Sequence, residues 1–282
     1  MRRGLLVCSI CGVVALLSVG VFGQARGPAP PSVVQLTDLR RDYGQNIAPV
    51  YEGWEPNPDG TISMYFGYMN RNWKEELDIP VGPGNSFEPG PQDRGQPTHF
   101  LPRRHKQIFS IIVPKDFPRD RSLTWTLSIR GKTERVPGTL KAEQQIDVSR
   151  ETASGNQRPK IDLGPNMTAG VGQLVTLTVS VADDGIPKPS RRPPSPGEAP
   201  NVFAGPNVRW SKYRGPGNVK FNETAVPITN GKASATATFD APGEYLVQVM
   251  ADDGSVLGQS QGQNVPGYSC CWATGNIKVT IK

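Results

Sequence analysis

Two aspartate pairs occur in the same short motif at two places in the chain. The motif is Ala-Asp-Asp-Gly, at residues 182–185 and again at residues 251–254. Each copy follows a run of alternating apolar residues, so each pair is expected at the end of a strand. If the two strands run in the same direction, the carboxylates emerge together and form the oxygen-rich environment that Ca²⁺ prefers. The candidate cation ligands are Asp183, Asp184, Asp252 and Asp253.

A second interpretation of these aspartates stays open, because neither motif is a complete calcium-binding loop. Lys188, Arg191 and Arg192 follow the first pair closely and could neutralise it in local ion pairs. The four side chains would then be solvated turn residues. We expect no cofactor other than this candidate calcium ion.

A basic cluster stands at the start of an apolar run in the first half of the chain. Arg103, Arg104 and Lys106 lie within four consecutive residues and lead into residues 107–113. Such a concentration of positive charge can attract the anionic polymers of a cell envelope. It can also protect the end of a strand against edge-to-edge pairing. We treat the three side chains as candidate envelope-contact residues.

Two histidines and three tryptophans of this half are further candidates for a binding site. His99 and His105 lack the spacing of a common zinc motif and have no other cysteine or histidine near them, so we expect no zinc site. Trp54 and Trp73 lie in or beside turn-rich segments. One or both are candidate stacking surfaces for sugar rings, with core packing as the alternative. Trp125 alternates with polar residues and is predicted in the core.

The first half of the chain has one dense group of acidic residues that could be considered for catalysis. Glu75, Glu76 and Asp78 form the densest acidic group of the first half, where a glycosidase-type pair would have to lie. Neighbouring residues on a strand point to opposite faces, so Glu75 and Glu76 make a poor acid/base pair. The sequence also lacks an HExxH motif and a phosphate-binding loop. We therefore predict that the protein is not an enzyme, and a glycan hydrolase is the least favoured alternative.

Residues 1–25 have the anatomy of a secretory signal peptide. Arg2 and Arg3 precede an apolar run over residues 4–22, and small residues follow it. This run approaches the length of a bilayer span, so an uncleaved membrane anchor is the alternative. We expect a periplasmic or extracellular protein, or one anchored to the inner membrane if the segment is not cleaved.

The four cysteines divide at this expected cleavage. Two lie within the signal segment, and the other two, Cys270 and Cys271, are adjacent in sequence. Adjacent cysteines cannot join distant strands. In an oxidising compartment they could form a strained disulfide with each other, bond to a partner chain or remain thiols. We favour the disulfide between the neighbours.

Composition restricts the fold and the partners. Of 282 residues, 31 are glycine and 28 are proline, and only 20% are charged, which argues against coiled coils and helical bundles. The formal net charge is +6, and it falls when the arginines of the signal segment are removed. Because this balance is only mildly basic and no nucleic-acid-binding motif is present, we expect no nucleic-acid partner.

A polar segment at residues 149–159 is predicted to link two β-rich domains, residues 33–148 and residues 160–282. Residues 80–102, dense in glycine and proline, are predicted as a long loop. The strands expected in the first domain cover residues 61–69, 107–113 and 122–130. Those expected in the second cover residues 173–181, 207–212, 233–239, 244–250 and 276–282.

The second domain resembles the polycystic-kidney-disease (PKD) type of Ig-like repeat found in bacterial surface proteins. The resemblance covers residues 160–282 and is carried by VTLTVSVADDG, VRWSKYRGPGNVKF, ATFDAPGEYLVQVMADDG and the final KVTIK. Tyr245 stands two residues before the core position Val247, as in the tyrosine corner of Ig-like domains. The fold class is therefore expected to be all-β, with two tandem antiparallel β-sandwiches after the signal peptide and the second sandwich Ig-like.

The first domain, with FGYMNRNWKEELDIPVGPGN and GQPTHFLPRRHKQIFSIIVP, is similar to a family of uncharacterised exported bacterial proteins. That resemblance implies no activity. The expected function is a non-catalytic binding module that recognises an envelope polysaccharide or protein, with a structural accessory subunit of a cell-envelope complex as the alternative. A membrane is an expected partner only if the signal segment is not cleaved.

Overall fold

The computed structural model describes residues 40–146, 155–186, 206–253 and 271–282, and residues 41–282 belong to one compact unit. Of the predicted linker, only the part from Gly155 onward is described. Other features of the sequence that fall outside these ranges are the predicted signal peptide at residues 1–25, Cys270, Lys188, Arg191 and Arg192.

The first half of the chain forms a sandwich of short antiparallel sheets. Its strands are β1 Ile47–Pro56, β2 Ile62–Asn70, β3 Leu77–Asp78, β4 Asn85–Glu88, β5 His99–Phe100, β6 Arg103–Val113, β7 Leu123–Ile129 and β8 Lys132–Gly138. The sheet orders are β1-β2-β6, β4-β7-β8 and β3-β5. One turn of 3-10 helix follows at Ala142–Gln144.

Strands β2 and β7 place alternate side chains in the core, as their sequences predict. The buried residues of this alternation are Ile62, Met64, Phe66 and Tyr68 on β2 and Leu123, Trp125 and Leu127 on β7. The Trp125 ring centroid lies 5.1 Å from that of Phe109 and 5.7 Å from that of Phe87. Aromatic packing therefore forms the centre of the first core.

The prediction of a long loop over residues 80–102 was wrong in part, because the segment contains β4 and β5. The buried Asn85 holds it in place: its Nδ2 donates to the backbone oxygens of Ile79 (2.9 Å) and Pro97 (2.7 Å). Its Oδ1 accepts a 3.0 Å hydrogen bond from Trp125 Nε1. Glycine and proline mark the turns in the sequence, whereas the pairing of β4 with the distant β7 leaves no local pattern.

The second half forms a sandwich of two larger sheets. Its strands are β9 Lys160–Asp162, β10 Met167–Ala169, β11 Val175–Ala182, β12 Asn207–Arg214, β13 Val219–Phe221, β14 Ala225–Pro227, β15 Lys232–Phe239, β16 Gly243–Asp252 and β17 Trp272–Ile281. The sheet orders are β10-β17-β16-β12-β14 and β13-β15-β11-β9. Strands β10 and β17 pair in parallel, and the other pairs are antiparallel.

The expected inward residues of the second half are buried, which confirms the all-β fold class with two antiparallel sandwiches. One core lies between the two sheets. From β11 it contains Val175, Leu177, Val179 and Val181, and from the other sheet it contains Val208, Trp210, Tyr245, Val247, Val249, Ile277, Val279 and Ile281. The last strand is longer than predicted. It begins at Trp272 and pairs with β16 along its whole length.

Tyr245 forms the expected corner of the second sandwich. Its hydroxyl donates to the backbone oxygen of Ala241 (2.8 Å) and accepts from the backbone N–H of Gly217 (3.0 Å). The ring lies against Phe239, with centroids 4.8 Å apart. One phenol therefore satisfies two loop groups and ties the β12–β13 connection to the β15–β16 turn, an arrangement typical of Ig-like domains.

The two sandwiches are joined through a β-bulge in β12. The register with β16 shifts between Lys212 and Arg214, so the alternation of β12 is broken and both Lys212 and Tyr213 are buried. Tyr213 belongs to the first core, and its backbone oxygen accepts from the N–H of Thr98 (3.1 Å). Its hydroxyl donates to the backbone oxygen of Gly95 (2.5 Å).

Three further contacts cross the same junction. Arg214 forms a bidentate pair with Asp93 (2.7 and 2.9 Å). Gln248 Nε2 donates to the backbone oxygen of Ile108 (2.7 Å). In the described part of the predicted linker, Arg158 binds both carboxylate oxygens of Glu55 on β1. Charged and neutral hydrogen bonds thus fix the orientation of the first sandwich on the second.

We expect Tyr245→Phe to lower the free energy of unfolding by about 1–3 kcal/mol, because it leaves an N–H and a C=O at the corner without their partner. Urea denaturation measures this difference. Tyr43→Phe, at an exposed tyrosine, is the matched control and should leave stability unchanged. Equal stability of Tyr245→Phe and the wild type would show that the corner is not held by its hydroxyl.

Candidate functional site

The arginines of the predicted basic cluster have different surroundings in the structure. Arg104 Nη2 lies 2.6 Å from Glu52 Oε1, and Arg104 Nη1 donates to the backbone oxygens of His105 (2.9 Å) and Tyr68 (3.3 Å). Burial raises the pKa of Glu52, against the opposing effect of the Arg104 charge. Arg104 therefore stabilises a buried carboxylate. Lys106 is exposed and lies close enough to Glu52 to lower its pKa.

The Arg103 side chain lies on a different surface from that of Arg104. Its guanidinium carbon lies 4.2 Å from the ring centroid of Trp73, and its Nη1 donates to the backbone oxygen of Arg71 (3.3 Å). The Arg103 backbone adopts a left-handed φ of 71°, which is strained in a residue other than glycine. Trp73 is 44% exposed with this cation over its ring. The indole and the guanidinium are thus presented together in a cation–π contact.

A second exposed aromatic residue lies in the neighbouring loop. Tyr43 is 62% exposed. Its loop is tied to the Trp73 loop by backbone hydrogen bonds from Trp73 N–H to the oxygen of Arg41 (2.9 Å) and from Lys74 N–H to that of Asp42 (3.0 Å). We name Tyr43, Trp73 and Arg103 the aromatic–arginine surface.

Two buried asparagines hold the Trp73 loop. Asn70 Nδ2 donates to the backbone oxygens of Glu75 (2.7 Å) and Phe100 (3.2 Å), and its Oδ1 accepts from Asn72. Asn72 Oδ1 in turn accepts from the backbone N–H of Gln45 in the Tyr43 loop (2.7 Å). Neither asparagine is among the sequence-predicted site residues, although asparagines directly after a predicted strand are a signal for an ordered turn.

Of the two tryptophans considered for stacking, only Trp73 is exposed. Trp54 is buried in the first core, and its Nε1 donates to the backbone oxygen of Lys141 (2.8 Å). Core packing, the alternative interpretation, is therefore correct for Trp54. Trp125 is in the core, as predicted.

The three acidic residues considered for catalysis are all engaged in ion pairs, and Glu76 and Asp78 share His99. Glu75 lies 2.6 Å from Arg130, whose hydrogen bond lowers the pKa of that carboxyl. Glu76 lies 3.1 Å from His99, and this hydrogen bond lowers its pKa. A glycosidase acid needs a raised pKa, so neither glutamate has the environment of a general acid.

His99 is the centre of a charge cluster at the junction of the sandwiches. Its Nδ1 lies 3.0 Å from Asp78, and Lys212 Nζ lies 3.0 Å from the same Asp78 oxygen. Burial lowers the pKa of His99, but the hydrogen bonds to Asp78 and Glu76 outweigh burial and leave it raised. Burial raises the pKa of Asp78, but His99 and Lys212 leave it lowered.

The four predicted cation ligands differ in position, because Asp252 is the last residue of β16 whereas Asp183, Asp184 and Asp253 follow strand ends. Burial raises the pKa of Asp183, and the charges of Asp184 and Asp253 add to this rise. Asp252 lies opposite Asn207 in the sheet register and accepts from its Nδ2 (3.4 Å). Val249 and Ala251 face the core, so Asp252 points to the opposite face of β16.

Within the described ranges, no group of three or more histidine, cysteine or acidic side chains is placed to hold a metal ion by itself. Cys271 is buried and takes part in a disulfide, and the other three cysteines of the chain lie outside the described residues. A disulfide between Cys270 and Cys271 therefore stays a prediction. In the described part of the chain, no helix has the length and apolar character needed to cross a membrane.

No protein-family model and no curated protein matches the chain, so the two family resemblances stay predictions. Among solved structures, domains 4 and 5 of the S-layer protein SbsC match with a TM-score of 0.26 and 12% identity, over 57% of this chain and 65% of that one. A conjugative transposon lipoprotein from Bacteroides eggerthii matches with a TM-score of 0.24 and 14% identity, over 43% and 94%.

The D00-D0 domain of intimin matches with a TM-score of 0.24 and 13% identity, over 83% of this chain and 97% of that one. Because the TM-scores are this low, we infer nothing about function from these matches.

We expect Arg104→Ala to destabilise the protein on the order of 2 kcal/mol. The substitution leaves the Glu52 carboxylate buried without its cation, and the loss is below the 3–5 kcal/mol of a fully buried pair because Arg104 is partly exposed. Arg103→Ala, which removes a more exposed cation from the adjacent position, should cost less than about 1 kcal/mol. Equal losses in urea denaturation would contradict the different roles of the two arginines.

The His99 cluster should make stability depend on pH in two directions. The raised pKa of His99 stabilises the fold fully below about pH 6.5, its unfolded value, and this contribution is lost as pH rises through the folded pKa. The lowered pKa values of Glu76 and Asp78 stabilise it above about pH 4.3, and that contribution is lost as pH falls.

The free energy of unfolding should be measured over this pH range for the wild type and for His99→Gln. The difference between the two proteins isolates His99 from His105, whose pKa is lowered by burial. We expect the difference to be largest between about pH 4.5 and pH 6.5 and to shrink above neutrality. A difference that grows with rising pH would contradict the assigned direction of the His99 pKa.

Proposed function

We propose that the protein is an exported, non-catalytic binding module that recognises an anionic envelope glycan through the aromatic–arginine surface. The observation that carries the proposal is the exposed Trp73 ring with the Arg103 guanidinium 4.2 Å from its centroid. An indole offers an apolar face to the C–H groups of a sugar ring. A guanidinium matches the geometry of a carboxylate or phosphate group on the same polymer.

The two loops are held in one conformation, which supports this proposal. The backbone bonds between the loops and the buried Asn70–Asn72 pair fix the surface before any ligand arrives. Binding to such a surface orders few additional side chains, so little of the contact energy is lost to conformational entropy.

Two further observations support the non-catalytic and exported parts of the proposal. Glu75 and Glu76 are engaged in ion pairs with lowered pKa values, which suits structural carboxylates. The N-terminal sequence has the charge and apolar pattern of a signal peptide. A protein ligand and an accessory-subunit role are the competing functions, and the experiment below separates them from glycan binding.

The test is co-sedimentation of the purified chain with bacterial envelopes before and after protease digestion. We expect binding to survive digestion and to weaken with added salt, because glycan remains and part of the attraction is electrostatic. Trp73→Ala and Arg103→Ala should each weaken binding about fivefold, which corresponds to about 1 kcal/mol.

Leu174→Ala and Lys220→Ala are the matched controls, because they remove an exposed apolar residue and an exposed cation from the second sandwich. Both should bind like the wild type. Binding that disappears after protease digestion would replace the glycan by a protein partner. Undiminished binding by both Trp73→Ala and Arg103→Ala would remove the aromatic–arginine surface from the function.

A further inference from the structure

His99 contacts two carboxylates with its two ring nitrogens. Its Nδ1 lies 3.0 Å from Asp78 Oδ1, and its Nε2 lies 3.1 Å from Glu76 Oε2. An ionised carboxylate only accepts hydrogen bonds, and a neutral imidazole carries a single N–H. Both contacts are therefore hydrogen bonds only when His99 is protonated, because the imidazolium donates from both nitrogens.

Loss of this proton releases Glu76 and leaves Asp78 in place. Asp78 Oδ1 also lies 3.0 Å from Nζ of the buried Lys212, so it keeps a partner in either state of His99. Glu76 belongs to a loop and its side chain is 55% exposed, so it can turn into water. In the described part of the chain, the charged groups that face His99 are Asp78 on β3, Glu76 before β3 and Lys212 on β12.

The contact between Glu76 and His99 joins the two segments that form the aromatic–arginine surface. The Trp73 loop, residues 71–76, connects β2 to β3, and Glu76 is its last residue. His99 lies on β5, four residues before Arg103. The contact therefore ties the loop that presents the indole to the segment that presents the guanidinium.

Amide and backbone groups also hold the Trp73 loop, and they do so at any pH near neutrality. Asn70 Nδ2 donates to the backbone oxygens of Glu75 and Phe100, and none of these groups titrates in that range. His99 does titrate there. Burial lowers its pKa, but the hydrogen bonds to the two carboxylates outweigh burial and leave it raised. The Glu76–His99 contact is thus the pH-sensitive part of the attachment of the loop.

We propose that protonated His99 holds the Trp73 loop against the segment that carries Arg103 and thereby strengthens glycan binding at the aromatic–arginine surface. His99 is a positioning residue in this role, since it acts on the loop through Glu76. The protein accordingly binds more tightly in mildly acidic surroundings than above neutrality. The effect on binding rests on the proposed function, whereas the attachment of the loop does not.

Hydrogen exchange of the Trp73 loop tests the attachment without any ligand. Backbone N–H groups of the loop donate to backbone oxygens of residues 41–46, so their protection reports the order of the loop. These N–H groups belong to Arg71, Trp73, Lys74 and Glu75. Their protection factors, corrected for intrinsic exchange, should fall about threefold from about pH 6.5 to about pH 8.5. Burial lowers the pKa of His105, so this second histidine is largely neutral throughout the range.

Co-sedimentation of the full chain with protease-digested envelopes measures the effect on binding. The dissociation constant of the wild type should rise about threefold over the same pH range. Glu76→Gln should remove the pH dependence of both readouts, because an amide can donate to the imidazole or accept from it and so keeps the contact in either state. Glu143→Gln, at an exposed glutamate of the 3-10 turn, is the matched control and should retain the wild-type pH dependence.

Wild-type protection and binding that stay constant over this pH range would overturn the proposal. A full pH dependence retained in Glu76→Gln would also overturn it, because the charge of His99 rather than its contact with the loop would then be responsible. If protection changes with pH while the protein binds no envelope at either pH, the His99 contact is supported and the proposed glycan function is refuted.

Discussion

The burial of Tyr213 in the first core is the contact on which the arrangement of the two sandwiches depends. Tyr213 and Trp210 lie on the same strand, yet Trp210 belongs to the second core and Tyr213 to the first. The β-bulge at this point makes that possible, because an extra residue turns the following side chain to the other face. A single strand thus contributes to both cores, and the sandwiches cannot separate without exposing a large aromatic residue to water.

A fixed junction allows charged groups to form ion pairs across it. Lys212 is buried and bound to Asp78, and Arg158 holds both oxygens of Glu55. Such pairs add little net stability relative to apolar residues, because removing a charge such as that of the buried Lys212 from water is costly. A displaced sandwich would nevertheless leave each charge without its partner. The pairs therefore favour one orientation over the alternatives, and the titration of His99 links that orientation to pH.

The proposed aromatic–arginine surface is held in place by buried polar side chains. It lies on loops of the first sandwich that are held by Asn70 and Asn72. The surface is therefore ordered before a ligand binds, and binding orders few additional side chains.

Local patterns in the sequence predict much of this fold. The alternation in β2, β7 and β11 identifies their buried faces, because one face of a strand must be apolar when it covers a core. The motif around Tyr245 similarly predicts the corner, since one hydrogen-bond partner of its hydroxyl, Ala241, lies only four residues away in the chain. For the aromatic–arginine surface, the sequence predicts Trp73 as a candidate stacking residue and Arg103 as a candidate contact cation, each separately from the other.

Other features depend on partners that are distant in the chain. Strand β4 forms because it pairs with β7, the role of Arg104 depends on Glu52, and Asp252 lies on β16 opposite Asn207 whereas Asp253 follows the strand. The sequence by itself determined the strand faces and the residue types available for each site. Only the tertiary structure decided which side chains meet, because pairing across a sheet and burial at the bulge depend on contacts that no local pattern records.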